Sequence, residues 1–225
     1  MILNVVLKMI LRSWWRNKVF FLVSVASLAL GLACTNLLMT YFVHEHGLEG
    51  RNPDRDRMFF LRQDDPMTEG KRVAFAGAEI PPQLKQSYAE VENFLRLGKL
   101  DLLYCKVNEQ KVEGDFKMLS ADTTLTNFFD YRTEEGRLSK VLSNQGKVAL
   151  CEACAGRRLG GKQAVGKQVE AHFRFGEVRT YEVVAVLKKR EQSLLQFDML
   201  IAHDPDFFWG GLTLLKLPPG TDAGH

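Results

Sequence analysis

One segment of the sequence limits what the chain can be before any other feature is considered. Val19 to Val43 contains 25 consecutive residues without a charged side chain. At a rise of about 1.5 Å per residue, a helix of this length would be about 37 Å long. The hydrocarbon core of a bilayer is roughly 30 Å thick, so the segment is long enough to cross it. The sequence therefore predicts a transmembrane helix over residues 19–43.

A cleaved signal peptide and a lipid anchor fit this apolar segment less well. A signal peptide has an apolar core of about 7–15 residues before a small-residue cleavage site, and this run continues well past that length. Lipidation of Cys34 after cleavage would leave the apolar residues from Leu37 to Val43 without a function. A spanning helix accounts for the whole segment.

The charges are distributed unevenly on the two sides of this helix. The whole chain carries +3, with 30 Lys and Arg against 27 Asp and Glu. Residues 1–43 carry +4 without a single acidic side chain, whereas the remaining 182 residues carry −1. This asymmetry indicates contact between the N-terminus and a membrane, and a chain without a basic block is not expected to bind nucleic acid.

The residues before the apolar segment predict a second, different helix. Polar or basic side chains recur every four positions, at Asn4, Lys8, Arg12 and Arg16. This spacing places them on one narrow stripe of a helix, opposite a broad apolar face. Basic side chains and the paired tryptophans at 14 and 15 suit the headgroup layer of the lipid bilayer. We therefore expect an amphipathic interfacial helix over residues 1–18.

The flanking charges also favour one orientation of the transmembrane helix. Four basic residues precede it, whereas the first basic residue after it is Arg51, followed by Arg55 and Arg57. Because positively charged flanks stay on the cytoplasmic side, we expect a single-pass protein of the plasma (inner) membrane with a cytoplasmic N-terminus. Residues 44–225 would then form an extracytoplasmic, periplasmic domain.

The sequence after residue 43 predicts a mixed α+β fold. Strands are predicted at 58–61, 93–99, 102–107, 116–120, 147–151, 168–175, 180–187, 196–202 and 212–217. Helices are predicted at 82–91, 123–129 and 152–159, the second of them capped by Asp122. Because strands dominate and do not alternate regularly with long helices, α+β fits better than a doubly wound sheet.

Several segments occur in an order that is typical of one known family. The first three are Ile10–Lys18, Leu28–Cys34 and Asp56–Leu61. The others are Phe128–Tyr131, Glu135–Arg137, Val148–Glu152, Ala155–Gly160, Val165–Lys167, Tyr181–Leu187 and Gln196–Ile201. In these segments the chain resembles the MacB-like/FtsX-like ABC-transporter permeases, with their N-terminal transmembrane helix and periplasmic core domain.

The resemblance implies a non-catalytic membrane subunit of an ABC-type transporter. Its periplasmic core domain would couple to conformational changes driven by an ATPase, in transmembrane transport, efflux or mechanotransmission. The implied partners are an ABC-family ATPase subunit, a second permease subunit in a dimer, and the lipid bilayer. Family members have three further transmembrane helices after this domain, so we expect the chain to be a permease truncated before those helices.

No catalytic, cofactor-binding or metal site is predicted from the motifs. Gly161–Gln168 imitates a phosphate-binding loop, but it ends in glutamine where a hydroxyl is needed, and a strand is predicted to follow. His44 and His46 would point about 200° apart on a helix, so they cannot close on one metal ion together with Glu49. The segment His203–Asp206 is interpreted as a turn after a strand.

The cysteines leave one enzymatic alternative open. Cys151 and Cys154 form a C-x-x-C pair, which at a helix start favours thiolate formation and disulfide exchange. The chain would then be a membrane-anchored thiol oxidoreductase, although the aromatic and proline residues typical of such sites are missing. A structural disulfide involving Cys105 also remains open, and Cys34 is interpreted as a packing residue. A further alternative is a tethered extracytoplasmic binding or sensor domain.

Overall fold

A computed structural model of the chain describes residues 17–47, 52–64, 71–107, 109–158, 164–188, 193–205, 207 and 210–221. The chain divides into two compact units, Met1–Leu48 and Glu49–His225, and each is described by itself. The interfacial helix predicted over residues 1–18 lies outside the described residues, except for its last two positions.

Helix α1 (Lys18–Gly47) forms the described part of the first unit. It includes the segment predicted to span the membrane and continues a full turn beyond it. By length and composition Lys18–Val43 could cross a bilayer. Both threonine hydroxyls are satisfied locally, because Thr35 Oγ1 donates to the carbonyl of Gly31 and Thr40 Oγ1 to that of Asn36, both at 2.8 Å. Such bonds make a hydroxyl tolerable in an apolar environment.

The second unit is a mixed α+β domain, as the sequence predicts. Its strands are β1 (Met58–Phe60), β2 (Gln63–Asp64), β3 (Arg72–Val73), β4 (Ala76–Gly77), β5 (Asn93–Val107), β6 (Gln110–Glu113), β7 (Lys117–Ala121), β8 (Thr133–Gly136), β9 (Lys147–Cys151), β10 (Gln168–Phe173), β11 (Val178–Leu187), β12 (Met199–Ala202) and β13 (Gly210–Lys216). Its helices are α2 (Ile80–Ser87), α3 (Leu125–Phe128), α4 (Leu138–Leu142) and α5 (Glu152–Arg158).

Six strands pair in a closed circuit. The order is β5, β10, β11, β9, β12 and β7, and β7 pairs again with β5. Only the β11–β9 and β12–β7 pairs of this circuit are parallel. The circuit can close because β5 is 15 residues long and pairs with β7 over Leu97–Asp101 and with β10 over Leu102–Val107. Strands β13 and β6 extend the sheet from the two ends of β5.

Two hydrophobic clusters fill the domain. The first is formed by alternate residues of the circuit, and its largest fully buried side chains include Phe116, Phe173 and Met199. The second covers the opposite face of the sheet, where Phe128 of α3 and Val141 of α4 pack with strand residues. Alternation along β9 and β12 divides their buried side chains between the two clusters.

The structure corrects some element boundaries. Strand β5 runs without a break through Asp101, because its exposed residues alternate with buried ones such as Leu100 and Leu102. Asp122 does not cap a helix, because helix α3 starts only at Leu125. The Asp122 carboxylate instead accepts three bonds from the guanidinium of Arg96, at 2.7, 3.0 and 3.2 Å. Helix α4 and the strands β2, β3, β4, β6 and β8 were not predicted.

Gly211 of β13 offers a test of the packing between β13 and β5. A Cβ atom at this position would lie 2.3 Å from the carbonyl oxygen of Leu97. Because that oxygen belongs to the backbone, Gly211→Ala must push the strands apart, and we expect it to lower the free energy of unfolding by about 1–3 kcal/mol. Denaturant unfolding of the full chain in detergent measures the loss.

Gly156→Ala in α5 is the matched control for this substitution. Nothing lies within 4 Å of the added Cβ, so the free energy of unfolding should stay unchanged or rise by up to about 1 kcal/mol. Equal stabilities of the two variants would contradict the close approach of β13 to β5.

Candidate functional site

The first and last strands of the domain lie side by side. Strand β1 follows the segment that leads from α1, and it pairs antiparallel with β13, with Met58 opposite Lys216 and Phe60 opposite Leu214. Strand β13 then pairs with β5. Among the described residues, β1 pairs with no other strand, so β13 connects it to the rest of the sheet. The chain therefore enters the sheet beside the strand by which it leaves.

Arg57 ties the two segments together just outside the strand pair. Its Nε donates to the carbonyl oxygen of Leu217 at 2.9 Å, and the Leu217 amide donates back to the Arg57 carbonyl at 3.0 Å. One terminal nitrogen of the guanidinium donates to the Asp54 carboxylate at 2.9 Å, and the other donates to Glu92. The planar fork of arginine suits this arrangement, because it presents donors in several fixed directions.

Lys216 adds a second cation to the same place. Its Nζ donates to Asp54 Oδ2 at 2.5 Å and to the carbonyl of Asn127 at 3.3 Å. The hydrogen bond from Lys216 lowers the pKa of the Asp54 carboxyl, and the positive charges of Lys216 and Arg57 act in the same direction. Partial burial of the carboxyl opposes this shift without cancelling it. Asp54 therefore stays ionised between two cations.

Asn52 connects the incoming segment to helix α3. Its side-chain nitrogen donates to the carbonyl of Phe128 at 2.6 Å, and its side-chain oxygen accepts from the Asp54 amide at 3.0 Å. The first of these bonds satisfies a carbonyl group at the end of α3 that has no partner within the helix. We call the set Asn52, Asp54, Arg57, Glu92 and Lys216 the β1–β13 junction.

The β1–β13 junction joins parts of the chain mechanically and has no evident chemistry. Both covalent connections of the pair, before Met58 and after Lys216, lie at the same end of it. A force that separated them would open the pair from that end, one hydrogen bond after another. The ion pairs of Arg57 and Lys216 stand at this end, so they must break before the first strand bonds do.

The segment that imitates a phosphate-binding loop, Gly161–Gln168, forms a turn before a strand in its described part, residues 164–168. Gly166 adopts a positive φ of 88° in a turn, and Gln168 begins strand β10 where a phosphate-binding loop would begin a helix. The amide of Val183 donates to the carbonyl of Lys167 at 2.9 Å, which ties the turn to β11. The expectation of a turn leading into a strand is confirmed for residues 164–168, whereas 161–163 lie outside the described residues.

The cysteines of the C-x-x-C pair do not form an accessible pair. Cys151 is the last residue of β9 and is partly buried, whereas Cys154 in α5 is 2% exposed and belongs to the first hydrophobic cluster. Cys105 of β5 is fully buried in the same cluster. In disulfide exchange the attacking thiol must be accessible, whereas the second thiol can be buried, so the burial of Cys154 leaves the thiol oxidoreductase open as an alternative.

The histidine-containing motifs belong to ordinary secondary structure and turns. His44 and His46 lie in α1, and Glu49 lies outside the described residues. Within the described ranges, no group of three or more His, Cys, Asp or Glu is arranged to hold a metal ion. After β12, Asp204 does more than shape a turn, because its carboxylate accepts a bond from Arg179 Nη1 at 2.6 Å.

Sequence reasoning missed the β1–β13 junction. It treated Arg57 as a charge flanking the transmembrane helix and as part of the Asp56–Leu61 segment of the resemblance, and it gave Asp54 and Lys216 no role. The partners of Arg57 lie 35 and 160 positions away, at Glu92 and Leu217. A single sequence carries no signal for contacts at such separations between charged residues.

Because of Asp54, we expect the stability of the domain to depend on pH in the acid range. The pKa of the Asp54 carboxyl in the folded state lies below its ordinary value. The ionised carboxylate therefore stabilises the fold fully when the pH is above the unfolded-state pKa. This stabilisation is lost as the pH falls through the folded-state pKa. We expect the free energy of unfolding to fall below about pH 5. Asp54→Asn should reduce this pH dependence while lowering stability at neutral pH.

Unfolding curves of the full chain at several pH values measure this effect. Asp64→Asn, which removes an exposed carboxylate from β2, is the control and should leave the pH profile unchanged. Identical profiles for Asp54→Asn and the unsubstituted chain would contradict the assigned role of the ion pairs.

Comparisons of the sequence give no match to a protein-family model or to a curated protein. The structure, in contrast, is similar to several solved domains. A domain of a protein described as a permease, from Porphyromonas gingivalis, superposes with a TM-score of 0.62 at 18% identity, covering 76% of each chain. The periplasmic region of MacB from Actinobacillus actinomycetemcomitans gives a TM-score of 0.54 at 10% identity, covering 79% of each chain.

A third solved domain extends the similarity to Gram-positive bacteria. The extracellular domain of YknZ, a noncanonic ABC-type transporter, gives a TM-score of 0.51 at 15% identity. The match covers 72% of this chain and 83% of the YknZ domain. These similarities confirm, at the level of the fold, the resemblance seen in the sequence: residues 49–225 contain an α+β domain of the type found in MacB-like ABC-transporter permeases.

Proposed function

We propose that the chain is a membrane subunit, or part of one, of an ABC-type permease, and that its role is mechanical. An amphipathic helix over residues 1–18 would lie on the cytoplasmic face of the inner membrane, and residues 19–43 would span it. Residues 44–225 would form the periplasmic domain. Transport would be driven by an ABC-family ATPase, and a second permease subunit would complete a dimer.

The fold and the apolar helix together support this proposal. The similar solved domains are a periplasmic region, an extracellular domain of an ABC-type transporter, and a domain of a protein described as a permease. Helix α1 precedes the domain directly in the sequence and is long and apolar enough to anchor it.

The β1–β13 junction is the observation that carries the mechanical role. A displacement of the segment after α1 acts first on residues 52–57. The ion pairs and main-chain bonds of Arg57 pass it to β13, and the β13–β5 ladder passes it to the longest strand of the sheet. Asn52 and Lys216 pass it to the end of α3. The domain can therefore follow a movement of its connecting segment as one body.

Labelling of introduced cysteines tests the proposed topology. A membrane-impermeant maleimide should label Lys140→Cys, on the exposed side of α4, in intact spheroplasts. It should label Lys8→Cys only after the membrane is opened, because that residue would lie on the cytoplasmic side. The reverse pattern would contradict the orientation and would place the domain in the cytoplasm.

Co-purification tests the proposed partner. The tagged full chain, isolated from its native host in mild detergent, should bring down an ABC-family ATPase that mass spectrometry identifies. A tethered binding or sensor domain would not bring one down. Isolation of the intact, folded chain without any ATPase would overturn the proposal.

The mechanical role predicts a specific defect in the complex. Arg57→Gln should make the rate of ATP hydrolysis depend less on the permease, because it loosens β13. The permease and the ATPase should stay associated, because the substitution does not change the membrane segment. Lys111→Gln is the control, since it removes an ion pair with Glu113, at 2.7 Å, from the hairpin of β5 and β6. Equal ATPase activities for both variants would contradict a role of the β1–β13 junction in coupling.

A further inference from the structure

The apolar segment of helix α1 contains one amide side chain, that of Asn36. It lies five positions after Gly31, the middle residue of Val19–Val43, which is about 7.5 Å along the helix axis. The hydrocarbon core of a bilayer extends roughly 15 Å on each side of its centre, so the Asn36 amide would lie inside it. An amide in hydrocarbon is unfavourable unless its polar groups are hydrogen-bonded.

The described part of the chain supplies the Asn36 side chain with no hydrogen-bond partner. The neighbouring polar residues differ in this respect, because the hydroxyls of Thr35 and Thr40 each donate to a carbonyl one turn back in the same helix. The Asn36 amide has two N–H donors and an acceptor oxygen, and no described residue bonds to any of them. Lipid tails cannot hydrogen-bond, so within the membrane only another spanning helix can satisfy these groups.

Asn36 lies on a face of α1 that suits close contact with another helix. Counting in sevens from Asn36, and again from Ala33, gives two rows that adjoin on the helix surface, as in the seam of a coiled coil. The face formed by these two rows, which we call the α1 seam, consists of Leu22, Ala26, Ala29, Ala33, Asn36, Thr40 and Val43. Three of its seven residues are alanine, and such small side chains let helix backbones approach closely in a membrane.

A second copy of the chain matches the α1 seam in both chemistry and depth. Identical copies insert with the same orientation, so two α1 helices would lie parallel, related by a two-fold axis along the membrane normal. The two Asn36 side chains then meet at the same depth, and each amide can donate to the oxygen of the other. A spanning helix of another protein would need a polar residue of its own at this depth. An asparagine at such a seam position also fixes the register and the number of helices.

We propose that two copies of the chain pair through the α1 seam, held by reciprocal hydrogen bonds between their Asn36 amides. This inference rests on the proposed function, because it requires residues 19–43 to span the membrane. It goes further by identifying the second subunit of the proposed dimer as another copy of this chain and by naming the contact between the two. The alanines of the seam allow the backbones to approach, and the amides fix which residues meet.

A different face of α1 offers a rival contact that the experiment must separate from the α1 seam. Ser27, Gly31 and Thr35 recur every four residues, a spacing that also permits close helix packing. The Thr35 hydroxyl already donates to the Gly31 carbonyl at 2.8 Å, so it needs no second helix. A Cβ atom added at Gly31 meets nothing within 4 Å, and Gly31→Leu therefore obstructs this face without a clash inside α1.

Sedimentation equilibrium of the full chain in density-matched detergent micelles measures the pairing. We expect the unsubstituted chain to dimerise and Asn36→Val to weaken the association about 5- to 30-fold, because the hydrogen bonds between the helices are lost. Asn36→Gln keeps an amide and should retain part of the affinity. Thr35→Val is the matched control: it removes a polar group one position away, outside the α1 seam, and should associate as the unsubstituted chain does.

Cross-linking in native membranes provides a second, independent readout. Ala29→Cys places a thiol on the α1 seam, one heptad before Asn36, and should give a disulfide-linked dimer when the membranes are treated with copper phenanthroline. The native Cys34 lies about 200° around the helix from Asn36, so the unsubstituted chain should give no such dimer. Cys34 therefore serves as the control at nearly the same depth.

Several results would overturn the pairing through the α1 seam. They are a membrane-embedded chain that stays monomeric, equal association of Asn36→Val and the unsubstituted chain, or a dimer that Gly31→Leu disrupts and Asn36→Val does not. Extraction of the membranes with alkaline carbonate separates these results from a failure of the proposed function. A chain that carbonate releases does not span the membrane and contradicts both, whereas a monomer that stays embedded contradicts the α1 seam alone.

Discussion

The rest of the domain depends on the hydrogen bonding of one strand, β5. It is 15 residues long, and its two edges together carry four partners: β13, β7, β10 and β6. Without a strand of this length the circuit of six strands could not close, since β7 and β10 are bonded to successive halves of β5. The buried residues of β5 serve both hydrophobic clusters: Leu95 and Leu97 belong to the second, and Leu100, Leu102, Cys105 and Val107 belong to the first.

Sequence patterns over a few residues predicted the elements whose formation depends on residues close together in the chain. The apolar helix, strand β9 and the hairpin around Gly176 follow from hydrophobic periodicity and turn chemistry over a few residues. Strand β8 escaped prediction because all four of its residues are exposed, so it shows no apolar alternation. Asp122 was misassigned because a distant partner, Arg96, outcompetes a cap for its carboxylate. The β1–β13 junction depends on long-range register, which a single sequence does not reveal.

The fold of the domain is similar to that of the solved domains although the sequence identity is low. The similar solved domains share only 10 to 18% of their residues with this chain. Cores tolerate extensive hydrophobic substitution when volume and alternation are kept, so the pattern of buried positions can persist while identities drift. Charged contacts such as those of Arg57 lie outside that tolerance, since replacing one partner leaves the others without compensation. Differences in mechanism between related domains are therefore expected at such contacts.

The side-by-side position of β1 and β13 has a consequence for how such domains can spread between proteins. A module whose two connections lie next to each other can be inserted between two consecutive segments of a host chain without forcing those segments apart. Its interior can then change in size, or acquire new loops, while the spacing at the point of insertion stays constant. The antiparallel pair of β1 and β13 gives this domain two such adjacent connections.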